Sequence, residues 1–181
     1  MRTVARVAWT LCGLLMLGAC APAVSPVHVD SERDPSAPFS SYTTYDWTSG
    51  SRPADRRPEL WQGDMVDWRV RTDIDEQLAA KGYRNEQLHP DFLVAYKMHV
   101  ASKTIDSFKD LLEYRERGGQ QGVSDAYVLG YQERSLTVEI FDARTRKLVW
   151  RSQATALLES AQERQQIRQA ITKMLATFPA R

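Results

Sequence analysis

The sequence LTVEIFD at residues 136–142 alternates apolar and polar side chains with a period of two, which is typical of a half-buried β-strand. A polar stretch, residues 142–147, follows it, and LVWRSQATA at residues 148–156 then alternates in the same way. Two such runs joined by a short polar turn predict an antiparallel hairpin. The strand signal that leads into this hairpin begins at Ala126.

The last segment of the chain has the pattern of an amphipathic helix. Ser160 and Glu163 have the spacing of a capping box, in which the hydroxyl and the carboxylate satisfy free backbone donors of the first turn. An apolar stripe with helical spacing follows, and Pro179 ends it; its members are Ile167, Ala170, Ile171, Met174, Leu175 and Phe178. Because this stripe is too apolar to remain in water, we predict that the helix is an integral part of the domain.

A second helix is predicted earlier in the chain. Apolar residues recur every four positions at Val66, Val70, Ile74 and Leu78, and Met65 and Trp68 widen the stripe. Asp64 is the predicted N-cap. Lys81 and Gly82 supply a basic last turn and a C′ glycine.

Three further stretches complete the predicted fold. Residues 27–30 and 41–47 alternate as short strands, and residues 91–100, which follow a proline, alternate as a longer one. Together these elements predict one α+β domain over residues 27–181. Its sheet is expected to be mostly antiparallel, with about five strands, and to be covered on one face by the two long helices.

Two stretches between these elements have no regular pattern. Residues 48–63 contain two glycines and two prolines and are predicted as a loop. Residues 103–122 are predicted as an excursion between two strands. Within it, Ile105, Phe108 and Leu112 are compatible with a short amphipathic helix, whereas its three glycines indicate a loop.

The N-terminus has the three regions of a secretory signal. Arg2 and Arg6 flank the start, and residues 7–17 form an apolar run interrupted only by Thr10. This run is shorter than the roughly 18 to 20 residues that a membrane-spanning helix needs. We therefore interpret residues 1–19 as a signal peptide that is removed.

The end of this signal, Leu17-Gly18-Ala19-Cys20, resembles the bacterial lipoprotein box. The resemblance implies cleavage between Ala19 and Cys20 and a diacylglycerol, with palmitate-type acyl chains, on the Cys20 sulfur. Ala21 follows instead of the Asp that usually retains lipoproteins in the inner membrane, which implies export to the outer membrane of a Gram-negative bacterium. Residues 20–26 would then form a short tether, and its last six residues reach only about 20 Å when extended.

Charge and cysteine content support this interpretation. The chain has 24 basic and 23 acidic residues, and such a balance argues against a nucleic-acid partner. Removing the signal takes Arg2 and Arg6 from the 24 basic residues and leaves 22 against 23 acidic ones. Bulk charge would therefore not draw the protein to anionic lipid, and the acyl chains must provide the anchor. Cys12 would be lost with the signal, so Cys20 is the one cysteine expected in the mature chain.

The domain also resembles a known family, the bacterial lipoproteins called domain of unknown function 4136. The resemblance covers about residues 27–179. It is carried, in this order and spacing, by FSSYTTYDW (39–47), IDEQLAAKGY (74–83), PDFLV (90–94), LTVEIFDA (136–143), KLVWR (147–151) and the final Phe178-Pro179. Residues 103–122 do not match the family pattern. No general activity, ligand or active site comes with the family name.

No catalytic motif is found in the sequence. The G-x-S-x-G elbow of hydrolases, the H-E-x-x-H and C-x-x-C metal motifs and the calcium loop are all absent. His28, His89 and His99 have no neighbours that suggest catalysis and are interpreted as structural or solvent-facing. We therefore expect no enzymatic activity, no cofactor and no metal site.

Three other groups of residues are weighed as sites. Asp73, Asp75 and Glu76 form the densest acidic group and are predicted to lie on a solvated helix face. The stretch Gly118–Gly122 lacks the Lys-Ser/Thr ending of a phosphate loop and is interpreted as a flexible turn. A basic group near the first helix could contact lipid phosphates or lipopolysaccharide, although balanced loop charges are favoured; it consists of Arg52, Arg56 and Arg57, with Trp61 close behind.

The aromatic residues recur at strand and helix spacing, so they are interpreted as core; they are Tyr42, Tyr45, Trp47, Trp68, Phe92, Tyr96 and Trp150.

The leading functional hypothesis is a non-enzymatic lipoprotein of the outer membrane that faces the periplasm. It would bind or scaffold another envelope component through the uncovered sheet face, a sheet edge or the excursion. The alternatives are an envelope enzyme with an unrecognised site and a lipid- or lipopolysaccharide-binding module. A deep polar pocket would favour the enzyme, and a flat apolar sheet face would favour the partner.

Overall fold

The computed structural model describes residues 26–48, 61–117, 119, 129–157 and 163–181, with backbone only for 61–64 and 129. Within these ranges the chain is an α+β domain with six strands and three α-helices. The strands are β1 (His28–Arg33), β2 (Thr44–Trp47), β3 (Arg84–Asn85), β4 (Phe92–Ile105), β5 (Leu129–Asp142) and β6 (Leu148–Leu157). The helices are α1 (Trp61–Ala80), α2 (Phe108–Glu116) and α3 (Glu163–Ala176), and Phe39–Ser41 adds one 3₁₀ turn.

The sheet is mixed, with the strand order β1-β6-β5-β4-β2-β3. Strands β1, β6, β5 and β4 pair antiparallel, whereas β2 pairs parallel with both β3 and β4. The prediction of about five, mostly antiparallel strands was therefore only partly right. The parallel pairs arise because α1 is a crossover connection between β2 and the strands that follow it. Strand β3 has two exposed residues, so it has no alternating pattern that a sequence could reveal.

Helices α1 and α3 pack against each other and cover one face of the sheet, as predicted. The centre of the core is Phe178, just after α3. Its ring centroid lies 5.3 Å from that of Trp150, 5.5 Å from Tyr83 and 5.7 Å from Phe92. The stripe of α3 is buried throughout, so the prediction that this helix belongs to the domain core agrees with the structure.

The start and the buried face of α1 differ from the prediction. The helix includes residues 61–63, which were assigned to the loop, so Asp64 lies inside the helix and is not its N-cap. Met65 and Trp68 are exposed and do not widen the core stripe. The buried face contains Asp67, Val70, Arg71, Ile74 and Leu78. The predicted stripe of Val66, Val70, Ile74 and Leu78 packs in or against the core, but apolar periodicity could not show that Asp67 and Arg71 share this face.

The end of α1 is as predicted. Gly82 has a φ of +92°, a left-handed conformation that favours glycine. The amide of Gly82 donates to the Ala79 carbonyl at 2.9 Å, and the amide of Tyr83 donates to the Leu78 carbonyl at 3.0 Å. These two bonds form a Schellman motif, which satisfies carbonyls at the end of the helix.

The two central strands, β4 and β5, are the longest of the described sheet, with 14 residues each. Strands β4 and β5 pair without interruption from Phe92↔Asp142 to Ile105↔Leu129. We call the outer part of this strand pair, residues 100–105 and 129–134, the arm. The predicted excursion contains a helix, α2, which begins after the N-cap Ser107. It packs on the sheet face opposite α1 and α3, where Tyr114 contacts Tyr131 at a centroid distance of 5.1 Å.

Strand β1 is longer than predicted, because it continues through Ser31 to Arg33 along the edge of β6. No helix among the described residues is long and apolar enough to cross a membrane. The signal peptide, the cleavage site, Cys20 and Ala21 lie outside the described residues.

Candidate functional site

A polar cluster joins β2 to α1. The carboxylate of Asp75, half-buried on α1, accepts hydrogen bonds from the Tyr45 hydroxyl at 2.6 Å and from Trp47 Nε1 at 3.2 Å. Burial raises the pKa of Asp75, and the two hydrogen bonds partly offset this. Burial and the neighbouring Asp75 carboxylate raise the pKa of Tyr45.

A buried arginine adjoins this cluster. Arg71 Nε donates to Asp67 Oδ2 at 3.0 Å, and its guanidinium lies over the rings of Trp47, at 5.0 Å, and Tyr96, at 5.6 Å. The cation is thus stabilised by a carboxylate and two aromatic faces. Within the described part of the chain, Arg71 Nη1 and Nη2 and the Tyr96 hydroxyl have no hydrogen-bond partner. Trp47 is the last residue of β2, and the described residues stop one position later, at Thr48.

The predicted acidic group is solvated only in part, since Glu76 is exposed and Asp73 and Asp75 are half-buried. Asp75 points to β2, and Asp73 and Glu76 face Arg168 of α3, at 3.8 Å and 3.2 Å. The prediction was only partly right because it assumed that α1 has one apolar side and one wet side. The helix instead contacts the sheet and α3 on adjacent sides, and its carboxylates provide the polar contacts to both.

Two other aspartates hold turns. Asp91 Oδ2 accepts hydrogen bonds from the amides of Thr43, at 2.8 Å, and Thr44, at 3.0 Å. Burial raises the pKa of Asp91, but these bonds and those of the threonine hydroxyls outweigh it, so the net pKa is lowered. Asp142 binds Thr145 and Tyr42 in a similar way and also has a lowered pKa. Their positions at turns indicate a structural role.

The three histidines are exposed and lie on separate elements. His28 is 3.5 Å from Asp30 on the edge strand, His89 is in the turn before β4, and His99 is on the uncovered sheet face. In the described part of the chain, no three His, Cys, Asp or Glu residues are grouped as metal ligands would be. The structure therefore does not bring the sequence-predicted residues together into one site.

Several of the weighed residues cannot be placed. Arg52, Arg56 and Arg57 lie outside the described residues, and of Trp61 only the backbone is described. Within Gly118–Gly122, Gly119 alone is described. Of the aromatic residues predicted as core, Trp68 is exposed and lines a cleft between α1 and α3, and the others are buried.

The sheet face opposite α1 and α3 is charged at its centre. Lys97 and Arg151 flank Glu139, with nitrogen–oxygen distances of 3.2 Å and 3.9 Å. This is not the flat apolar face that would have favoured a partner there.

An apolar groove lies instead on the helix side, where the arm leaves the body. Met98, Leu136 and Ala154 form its floor, Ile167 and Ala170 of α3 form one wall, and Val27 and Ala156 complete its apolar lining. Arg134, paired with Glu163, and the buried Gln166 are its main polar members. No partner within the described residues bonds Gln166 Nε2. We call this surface the groove. Sequence reasoning missed it because its members come from five separate segments.

A family model for a domain of unknown function, DUF4136, matches residues 29–180. The chain belongs to this family. The match confirms the family resemblance that the strand and helix motifs suggested, and the family description assigns no activity. No curated protein matches the chain significantly.

Among solved structures, a PDZ domain protein from Parabacteroides distasonis is similar, with a TM-score of 0.54 and 13% identity. The match covers 86% of this chain and 35% of that one, so the chain spans about a third of that protein's length. This likeness shows the fold alone. A PelC dodecamer from Paraburkholderia phytofirmans has a TM-score of 0.49 and 13% identity over 86% of this chain and 99% of that chain.

Proposed function

We propose that this protein is a lipoprotein of the outer membrane, held by acyl chains on Cys20, and that it binds an envelope protein in the groove without catalysing a reaction. The anchor is inferred from the sequence Leu17-Gly18-Ala19-Cys20 and the sorting position Ala21. The single observation that supports binding is the groove, a small apolar depression between α3 and the sheet in which Met98 is exposed.

The groove is small and apolar, so it suits a partner segment that places one small apolar side chain against Met98. Met98 is 36% exposed, and methionine adapts its shape to different apolar surfaces. Gln166 is buried beside the groove, and its Nε2 has no partner among the described residues, so a turn of its side chain toward the groove would let it donate a hydrogen bond to a backbone carbonyl of the bound segment. Leaving a buried amide unpaired costs free energy, so a segment that accepts this hydrogen bond should bind better than one that does not.

Site-specific photo-crosslinking in intact cells tests this proposal. A photoreactive residue in place of Met98 should give a discrete crosslinked product. The matched control is Leu148, which has a similar exposure of 41% but lies at the opposite end of β6. Replacing Gln166 by Leu should reduce the yield from position 98 without unfolding the domain.

Two outcomes would contradict binding in the groove. One is the same product from positions 98 and 148, which would indicate unspecific contact. The other is the absence of a product from position 98 when the protein is present in its membrane at normal abundance.

A further inference from the structure

The strand register shows at which level of the sheet the described chain begins. Strand β1 begins at His28, which pairs with Thr155; Thr155 pairs with Ser135, and Ser135 pairs with His99. The chain therefore joins the sheet at the level of His99. Because β1 then runs away from the arm, Val27, just before the strand, lies beside Arg134 at the base of the arm.

The lengths of the arm and of the tether are similar. Beyond His99, β4 and β5 continue for six residue pairs to Ile105↔Leu129, which is about 20 Å at about 3.3 Å per residue. Seven residue steps separate Cys20 from Val27, and they span at most about 25 Å. If Cys20 is anchored in lipid, a tether of this length brings the end of the arm within reach of the membrane surface.

The end of the arm carries exposed apolar side chains. One side of α2 packs on the arm, through Tyr114 on Tyr131 and an ion pair between Arg117 and Glu133. On α2, Phe108 is 74% exposed and Leu112 is 44% exposed. These two residues are four positions apart and so lie on the same side of the helix.

The charge of this end of the molecule is balanced. Residues 103–117 contain four basic and four acidic side chains. Electrostatic attraction to anionic lipid is therefore not expected, and contact with a bilayer would depend on the apolar residues and on the nearby anchor.

We propose that α2 is a second membrane contact of the anchored protein, with Phe108 and Leu112 inserted at the headgroup level of the bilayer that holds Cys20. This inference rests on the lipid anchor of the proposed function. The contact would fix the arm upright on the membrane and would hold the groove at a constant height above it.

Spin labels on the full-length lipidated protein in phosphatidylcholine vesicles test the contact. The mature lipidated chain should contain no free thiol, so single substitutions Phe108→Cys and Leu112→Cys give unique labelling sites. The control is Leu148→Cys. Leu148 is 41% exposed, a fraction similar to that of Leu112, but it lies at the end of the sheet away from the arm. Circular dichroism checks that each labelled protein is folded.

We expect the labels at 108 and 112 to lose accessibility to a water-soluble nickel reagent and to gain accessibility to oxygen when vesicles are present. The label at 148 should remain accessible to nickel. Equal nickel accessibility at 112 and 148, in protein shown by mass spectrometry to be acylated at Cys20, would overturn the α2 contact and leave the anchor intact. A chain without acyl groups on Cys20 would overturn both the anchor and the α2 contact.

Discussion

At the scale of single residues, Asp75 has the clearest role in the described structure. One carboxylate accepts hydrogen bonds from two side chains of β2, Tyr45 and Trp47, which are both nearly fully buried. Without an acceptor, both donors would be left unsatisfied in the protein interior. Asp75 thereby fixes α1 against the parallel part of the sheet.

Replacing Asp75 by Ala and by Asn should therefore have different effects. Asp75→Ala removes the acceptor, and we expect it to lower the free energy of unfolding by about 1–3 kcal/mol, the cost of leaving buried donors unpaired. Asp75→Asn keeps an acceptor oxygen without a buried charge and should cost less. Urea unfolding at neutral pH measures both, and equal losses for the two variants would contradict this role.

The raised pKa of Asp75 also predicts a pH dependence. The folded protein keeps this proton to higher pH than the unfolded chain does, so the stabilisation is complete below the ordinary pKa of 3.8 and is lost as the pH rises through the raised value. The unfolding free energy of the native protein minus that of Asp75→Asn should therefore fall as the pH rises above about 4. Asp91 and Asp142 have lowered pKa values, which make stability rise with pH. Both proteins contain them, so their contribution cancels in the difference. A difference that increases with pH would contradict the assignment.

At the scale of elements, α3 contributes a large part of the buried core and therefore of the domain's stability. Ile171 and Leu175 are fully buried between α1 and the sheet. Each change to Ala should cost about 2–5 kcal/mol, which is a large share of the roughly 5–15 kcal/mol of a typical domain.

The variant Ile171→Ala/Leu175→Ala should lower the melting temperature of residues 27–181 steeply. Arg168→Ala, on the exposed side of the same helix, should change it little, because surface ion pairs such as those with Asp73 and Glu76 contribute about 0–1 kcal/mol. Thermal unfolding compares the two. An unchanged midpoint in the double variant would contradict the role of α3 as a core helix.

The elements also show which features could be predicted from the sequence. The hairpin of β5 and β6, helix α3 and the C′ glycine of α1 follow from local patterns, since period, stripe and turn residues all lie within one segment. Strand β3 could not be found because it has two residues and no buried side chain. The apolar stripe of α1 was found, but its buried pair Asp67 and Arg71 was not, because paired charged residues leave no apolar pattern. The groove depends on the packing of distant segments, and no local pattern reveals it.

At the scale of the whole molecule, the arm, the groove and the start of β1 lie at the same end of the sheet. The anchor is proposed from Leu17-Gly18-Ala19-Cys20, and Ala21 predicts its destination. Changing Ala21 to Asp should move the protein from the outer to the inner membrane in a Gram-negative host that uses this sorting rule. Density-gradient fractionation of the membranes measures the position, and an unchanged outer-membrane position would count against the sorting prediction.

Intact-mass spectrometry of the protein purified from membranes tests the anchor most directly. We expect a mature chain that begins at Cys20 and carries the mass of a diacylglycerol and a further acyl chain, and we expect the Cys20→Ala variant to lack both the cleavage and the lipid. A mature chain that begins at another residue, or a Cys20 without acyl mass, would contradict the lipoprotein assignment and the membrane geometry inferred from it.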